Sequence, residues 1–162
     1  MILVRHTRPE LAPGICYGAS DVAAARGIEA EADRLAALLA PATRVVASPL
    51  RRCLPLAEGL AARLGAPLGL DARWREMDFG AWEGRPWDLI ARNEIDAWDA
   101  DFMQARPHGG ESVAMLAART AEALAAARAA GGRVVVVTHA GPIRAALGAW
   151  DRAIGFGEAI EA

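Results

Sequence analysis

Arg133-Val134-Val135-Val136-Val137-Thr138-His139-Ala140 is the stretch on which the fold turns. An unbroken run of valines has no polar face, the pattern expected of a parallel strand covered on both sides. The strand predicted over Arg133 to Val137 ends abruptly in a polar triplet, Thr138-His139-Ala140. Upstream, Glu111 to Ala130 reads as a helix. It is opened by Gly109-Gly110 and stopped by Gly131-Gly132, with Val113, Leu116, Ala117, Thr120 and Leu124 on one face. The pattern repeats toward the N-terminus. Ile2 to Val4 is a short apolar strand followed by Arg5-His6-Thr7-Arg8-Pro9, where Pro9 denies a central strand its hydrogen bond. Ile28, Ala32, Leu35, Leu38 and Leu39 recur at helical spacing within Ala24 to Ala40, and Pro41 closes that helix. Thr43 to Ala47 is a further strand, and Ser48-Pro49 reads as a cap and first-turn proline opening a helix to about Leu64. Pro67 to Leu70 is a weaker strand, and Asp71 to Arg106 is aromatic-rich and irregular. This alternation predicts an α/β fold, a three-layer α/β/α sandwich with a mostly parallel sheet. With no repeat or linker visible, residues 1–162 read as one domain.

Composition narrows the function. A formal net charge of -2 offers no general attraction to nucleic acid or to anionic lipid, so neither is an expected partner. Cys16 and Cys53 are far apart and lack metal-knuckle or redox spacing, which fits a reducing cytoplasm. No apolar run approaches the length needed to span a bilayer, and Met1-Ile2-Leu3-Val4-Arg5-His6 does not read as an export signal.

In open α/β sheets the ligand crevice lies outside the carboxyl ends of the strands. Three such ends carry polar residues: Arg5-His6, Ser48 to Arg52, and His139. The chain has only 3 histidines, and two of them directly follow buried strands. Two histidines and two arginines around one cavity would repel one another unless an anion joined them, and a phosphoryl group suits the arginine fork. A neutral imidazole can take that group covalently if a backbone carbonyl fixes its tautomer. The leaving alkoxide then needs a proton, for which Glu76 and Asp78 are the nearby candidates.

Leu3-Val4-Arg5-His6-Thr7, Ser48-Pro49-Leu50-Arg51-Arg52, Glu76-Met77-Asp78-Phe79-Gly80-Ala81-Trp82-Glu83-Gly84, Gly109-Gly110-Glu111-Ser112 and Val137-Thr138-His139-Ala140-Gly141 resemble, in that order, the histidine phosphatase superfamily (phosphoglycerate mutase-like). The resemblance implies that His6 is the phosphorylated nucleophile, that Arg5, Arg52 and His139 bind the phosphate with His139 protonated, and that Glu76 rather than Asp78 is the proton donor. It also implies no metal or other cofactor and a small phosphorylated substrate. Pro13-Gly14-Ile15-Cys16-Tyr17-Gly18 and Asp21, added to the opening Arg5-His6-Thr7-Arg8-Pro9, resemble the alpha-ribazole phosphatase branch, which removes the 5'-phosphate of the ribazole nucleotide in cobalamin biosynthesis.

The chain departs from the family pattern in two places. Thr7 stands where most members have glycine, and a β-branched residue tolerates a positive φ poorly. After Leu147 the sequence is short of the family's further strand, so the sheet is expected to lack an edge strand and one side of the cleft to be open or closed by a homodimer partner.

Outside this set, Glu83 and Glu111 read as helix-dipole complements. His108 reads as a loop residue, solvated or on a lid over the pocket. Most of Trp74, Phe79, Trp82, Trp87, Trp98 and Phe102 read as core, with Trp82 and Tyr17 the preferred substrate contacts, alongside Thr7 and His108. A phosphoglycerate mutase, a protein phosphohistidine phosphatase and an inactive phosphate-binding module are the alternatives. A metal hydrolase is disfavoured by the absence of ligand spacing.

Overall fold

The computed structural model describes residues Met1–Ala162. Five strands, β1 (Ile2–Arg5), β2 (Arg44–Ala47), β3 (Leu68–Leu70), β4 (Val134–Thr138) and β5 (Ala159–Glu161), form one sheet in the order β3-β2-β4-β1-β5. The first four run parallel, and β5 is antiparallel to β1. The valines of β4 are buried on both sides, as their unbroken run predicts. Val135 and Val137 join the cluster beneath α1 (Glu29–Leu39) and α2 (Leu54–Leu64). Val134 and Val136 join the opposite cluster, beneath α4 (Val113–Ala129) and α5 (Ala140–Leu147). Helix pairs on the two faces make the three layers. The remaining helix, α3 (Arg92–Ala100), lies in the irregular stretch with three single 3₁₀ turns.

Several boundaries move for identifiable reasons. Helix α1 starts at Glu29 rather than near Ala24, because Ala23 and Ala25 are committed to backbone bonds with Glu10 and Arg8, and Gly27 turns the chain at φ 81°. Ser48 to Cys53 is a turn, not helix, and the first-turn proline of α2 is Pro55. Ser112 caps α4, its Oγ accepting from the Met115 amide at 3.2 Å. Helix α5, directly after His139, has no counterpart in the sequence reading.

The main correction is at the C-terminal end. The sheet does not lack its edge strand: β5 pairs with β1, Leu3 opposite Ile160. The segment leading into it also flanks the end of β1. Gly157 donates to the Arg5 carbonyl at 3.1 Å, and the Arg5 amide donates to the carbonyl of Glu158 at 3.0 Å. No helix is long and apolar enough to cross a membrane.

Leu3 is fully buried between β4 and β5, whereas Leu38 on α1 is 58% exposed. Leu3→Ala is therefore expected to cost about 2–5 kcal/mol in urea unfolding, and Leu38→Ala less than about 0.5 kcal/mol. Equal losses would place the core elsewhere.

Candidate active site

The ends of β1, β4 and β2 lie side by side because their register is parallel: Arg5 is opposite Thr138, and Ala47 opposite Val137. His6 and His139 follow their strand ends at the same level, and Ser48 follows its own one residue earlier, opposite Thr138. Backbone bonds hold the level, from the His6 amide to the Thr138 carbonyl at 2.9 Å and from the Ser48 amide to the Val137 carbonyl at 3.0 Å. The two imidazoles are buried, with ring centroids 5.0 Å apart.

His6 Nδ1 lies 2.6 Å from the carbonyl of Thr7. Only an N–H can make that contact, so Nδ1 carries the proton and Nε2 keeps its lone pair. No residue other than glycine has a positive φ, so Thr7 supplies this carbonyl without the strain anticipated for a β-branched side chain. Burial, reinforced by the charges of Arg52 and Arg5, drives the His6 imidazole down to about 3, against the opposing bond to Thr7.

The His139 ring is fixed at both nitrogens. Arg52 Nε donates to Nδ1 at 3.2 Å, and Nε2 lies 2.8 Å from Ser48 Oγ. A nitrogen that accepts from a guanidinium bears no proton, so His139 is a neutral Nε2–H tautomer here rather than the imidazolium the family resemblance implied. Complete burial and the nearby cations hold it well below the ordinary histidine range.

The guanidiniums are clamped by main-chain oxygens. Arg52, fully buried, donates to the carbonyls of Ser20 at 2.7 Å and Gly18 at 2.6 Å. Arg5 donates to the Ile154 carbonyl at 2.5 Å and stacks on Phe156, its Cζ 3.9 Å from the ring centre, while its Nε is buried without a partner. Burial lowers the affinity of both guanidiniums for their proton, and Glu76 opposes the effect. Glu76 Oε2 accepts from the amide of Gly141 in the first turn of α5, at 3.1 Å, and Oε1 accepts from the Met77 amide at 2.9 Å. A Cβ at Gly141 would fall 2.0 Å from Glu76 Oε1, so only glycine lets the carboxylate sit against that turn.

The structure thus gathers Arg5, His6, Arg52, Glu76 and His139, with Tyr17 at the margin, its ring 5.2 Å from Arg52 Cζ. It does not gather Trp82 or His108. Trp82 is fully buried and donates from Nε1 to Glu94 at 2.6 Å, and the His108 ring packs 4.8 Å from it with Nδ1 accepting from the Gly110 amide. Both are parts of an aromatic core, not substrate contacts or a lid. Thr7 acts through its carbonyl, and its hydroxyl is buried and unpartnered.

Sequence reasoning placed Ser48 at the crevice but read it only as a helix cap, whereas it orients His139, and it missed Phe156, which covers Arg5. It also misjudged Glu83. That carboxylate accepts from the amides of Gly18, Ala19, Ser20 and Phe79 and from the Ser20 hydroxyl. It therefore fixes the loop whose carbonyls clamp Arg52, and these donors hold it below the usual carboxylate range even though burial opposes them. The only hint in the sequence was its place in Trp82-Glu83-Gly84. Burial pushes the thiols of Cys16 and Cys53 up to about 12, which leaves them inert, and no group of three or more His, Cys, Asp or Glu side chains is placed to hold a metal.

Residues 1–157 match the family described as Histidine phosphatase superfamily (branch 1). The glucosyl-3-phosphoglycerate phosphatase of Mycobacterium tuberculosis is 36% identical over 119 residues, 62% of this chain and 51% of that protein. The chain spans about half the length of the curated relatives it matches over such stretches. The native structure of mycobacterial glucosyl-3-phosphoglycerate phosphatase superposes with a TM-score of 0.81 at 30% identity, covering 92% of this chain and 77% of that one. A phosphoglycerate mutase from Thermus thermophilus gives 0.74 at 28% identity, covering 98% and 91%.

Unfolding restores His6 to 6.5, so between about pH 3 and pH 6.5 the unfolded chain binds more protons there than the folded one. This contribution to stability is complete above pH 6.5 and drains away as pH falls through that window. His139 and His108 are also lowered and act in the same sense. Urea midpoints should fall steadily from pH 7.5 to pH 5, and the His6 ring signals in NMR should show no titration near 6.5. A midpoint for His6 between 6 and 7 would refute the neutral, buried imidazole.

Proposed function

Since the chain belongs to the histidine phosphatase superfamily, we propose that it is a phosphomonoesterase that works through a phosphohistidine on His6. The observation that carries this reading is the 2.6 Å contact of His6 Nδ1 with the Thr7 carbonyl, which leaves Nε2 nucleophilic at neutral pH. Nε2 attacks phosphorus in line, the ester P–O bond breaks, and Glu76 delivers its proton to the departing oxygen. Water then attacks the phosphorus, Glu76 takes the water's proton, and the P–N bond breaks to return His6 and inorganic phosphate. Arg5 and Arg52 spread the charge of the transferring group. A phosphoryl dianion beside His139 also favours its protonation, which would add a further cation to the pocket. No step requires a metal ion.

The substrate is a small phosphorylated molecule. The relatives support a phosphoglycerate-type ester, whereas the opening Arg5 to Gly18 motif supports alpha-ribazole 5'-phosphate. The likeness to a phosphoglycerate mutase supports a second reading, in which the phosphoenzyme returns its group to an acceptor instead of to water. Phosphate release against isomerisation of 3-phosphoglycerate distinguishes the two.

His6→Ala should lower turnover of p-nitrophenyl phosphate by roughly a thousandfold or more with unchanged circular dichroism, and chelators should leave the wild-type rate unaltered. Wild-type turnover by the variant would end the proposal, and absence of turnover in the wild type would favour an inactive phosphate-binding module.

Glu83→Gln replaces an oxygen facing amide donors with a donor of its own, so the Gly18 to Ser20 loop should loosen around Arg52. Inhibition by phosphate and vanadate should weaken by roughly tenfold, with KM rising more than kcat falls. An equal loss in both constants with unchanged inhibition would make Glu83 merely structural.

A further inference from the structure

Two cavities flank Glu76, and they differ in chemistry. One, of about 350 Å³, contains Arg75, Arg106 and Arg119, but Asp78, Glu111 and Glu76 face them there. Arg119 is fully engaged, with Glu111 and with the carbonyls of Arg73, Arg75 and Glu76. Arg75 and Arg106 donate only to main-chain carbonyls, so this side is lined by charges of both signs with little apolar wall.

The other cavity, of about 270 Å³, is walled by Phe79, Trp98, Phe102 and Trp150, with Met77 and Val113 between them. Its aromatic walls meet edge to face or tilted: Trp98 to Phe102 at 5.4 Å and Phe102 to Trp150 at 5.8 Å between centroids. Glu76 and Gly141 form part of its lining, so it adjoins the carboxylate and the α5 turn that holds it. Arg144, close enough to oppose the charge on Arg5, lies on the same lining and links the cavity to the cationic residues.

We propose that this aromatic cavity receives the leaving group, and that the natural substrates are phosphate monoesters of alcohols bearing a single aromatic or heteroaromatic ring. The inference rests on the phosphatase reading, because it makes Glu76 the proton donor: the departing oxygen must lie within hydrogen-bonding reach of Glu76, which places the rest of the alcohol in an adjoining cavity. An apolar cavity of roughly 150 Å³ suffices for a benzene ring, so one ring fits here with room for its linker. A polyhydroxylated leaving group gains less, since beyond Glu76, Arg144 and the unpartnered Nε1 of Trp98 the lining is mostly apolar side chains, and each hydroxyl left unpaired against them costs binding energy. Ring substrates gain apolar burial and edge-to-face contacts.

The test compares 2-phenylethyl phosphate with glycerol 1-phosphate and glucose 6-phosphate, all primary alkyl esters of similar intrinsic reactivity. The wild-type protein should prefer the phenylethyl ester by tenfold or more in kcat/KM. Phe102→Leu, which keeps an apolar side chain but loses the ring, should reduce that preference several-fold. A merely structural role for Phe102 would lower all three rates together and leave the ratio unchanged. Equal or better use of the sugar or glycerol ester by the wild type overturns the inference while the phosphatase reading stands. Calorimetric binding of 2-phenylethylphosphonate against methylphosphonate is independent of turnover. A tenfold tighter fit for the aromatic compound supports the cavity even if no ester is hydrolysed, in which case the phosphatase reading alone falls. Equal binding sinks the cavity assignment.

Discussion

The register of three parallel strands is the constraint from which the site follows. With β4 between β1 and β2, a slip of one residue would turn His139 into the opposite layer and carry every valine of the strand with it. A slip of two would keep the faces correct, since the valines are interchangeable, but would draw His139 away from His6 by nearly 7 Å at about 3.3 Å per residue. The apolar sequence cannot forbid that second error. The polar ends do: Thr138 Oγ1 donates to the Trp74 carbonyl at 2.7 Å, and the Thr138 carbonyl receives the His6 amide. A side chain at the very end of the strand thus fixes the position of two imidazoles.

Once the register is set, electrostatics follow from burial. Arg5 and Arg52 are satisfied as hydrogen-bond donors by backbone carbonyls, which stabilise the guanidinium geometry without cancelling its charge. Burial, reinforced by the field they leave behind, keeps both imidazoles neutral, and a neutral imidazole is what the proposed attack on phosphorus requires. The same field favours an arriving dianion, so in the proposed reaction one arrangement of charge both prepares the nucleophile and attracts its target. Glu83 belongs to this arrangement although it lies outside the cluster. By gathering the amides of Gly18 to Ser20 onto one carboxylate it shapes the loop that turns its carbonyls toward Arg52.

The sequence revealed the parts whose physics is local. A valine run reads as a doubly buried strand whatever lies around it, and residues directly after such strands share a crevice by topology, so Arg5, His6 and His139 could be read with no structure in hand. Arg52 and Glu76 needed the order of motifs as well. Contacts made across long sequence separations were illegible. Strand β5 is three residues of ordinary composition whose pairing with β1 depends on the chain returning from α5, and Phe156 reaches Arg5 by the same return. Trp82 and His108 were misread because an aromatic residue in a loop looks the same on paper whether it faces solvent or a small core of its own.

That small core explains how an irregular stretch can hold Glu76 as firmly as a strand end holds His6. Residues 71–84 have no ladder to lie in, yet Arg119 of α4 binds three carbonyls of the segment, at Arg73, Arg75 and Glu76. Glycine allows the closest approaches: a Cβ at Gly80 would meet the His108 carbonyl at 2.2 Å, and one at Gly110 the Asp78 carbonyl at 2.2 Å. The two loops therefore pack backbone to backbone, and α4, anchored in the main core by Ala123 and Ala127, carries that rigidity to Glu76. In the reaction proposed above, a carboxylate held this way is the group that first gives a proton to a leaving alcohol and then takes one from water.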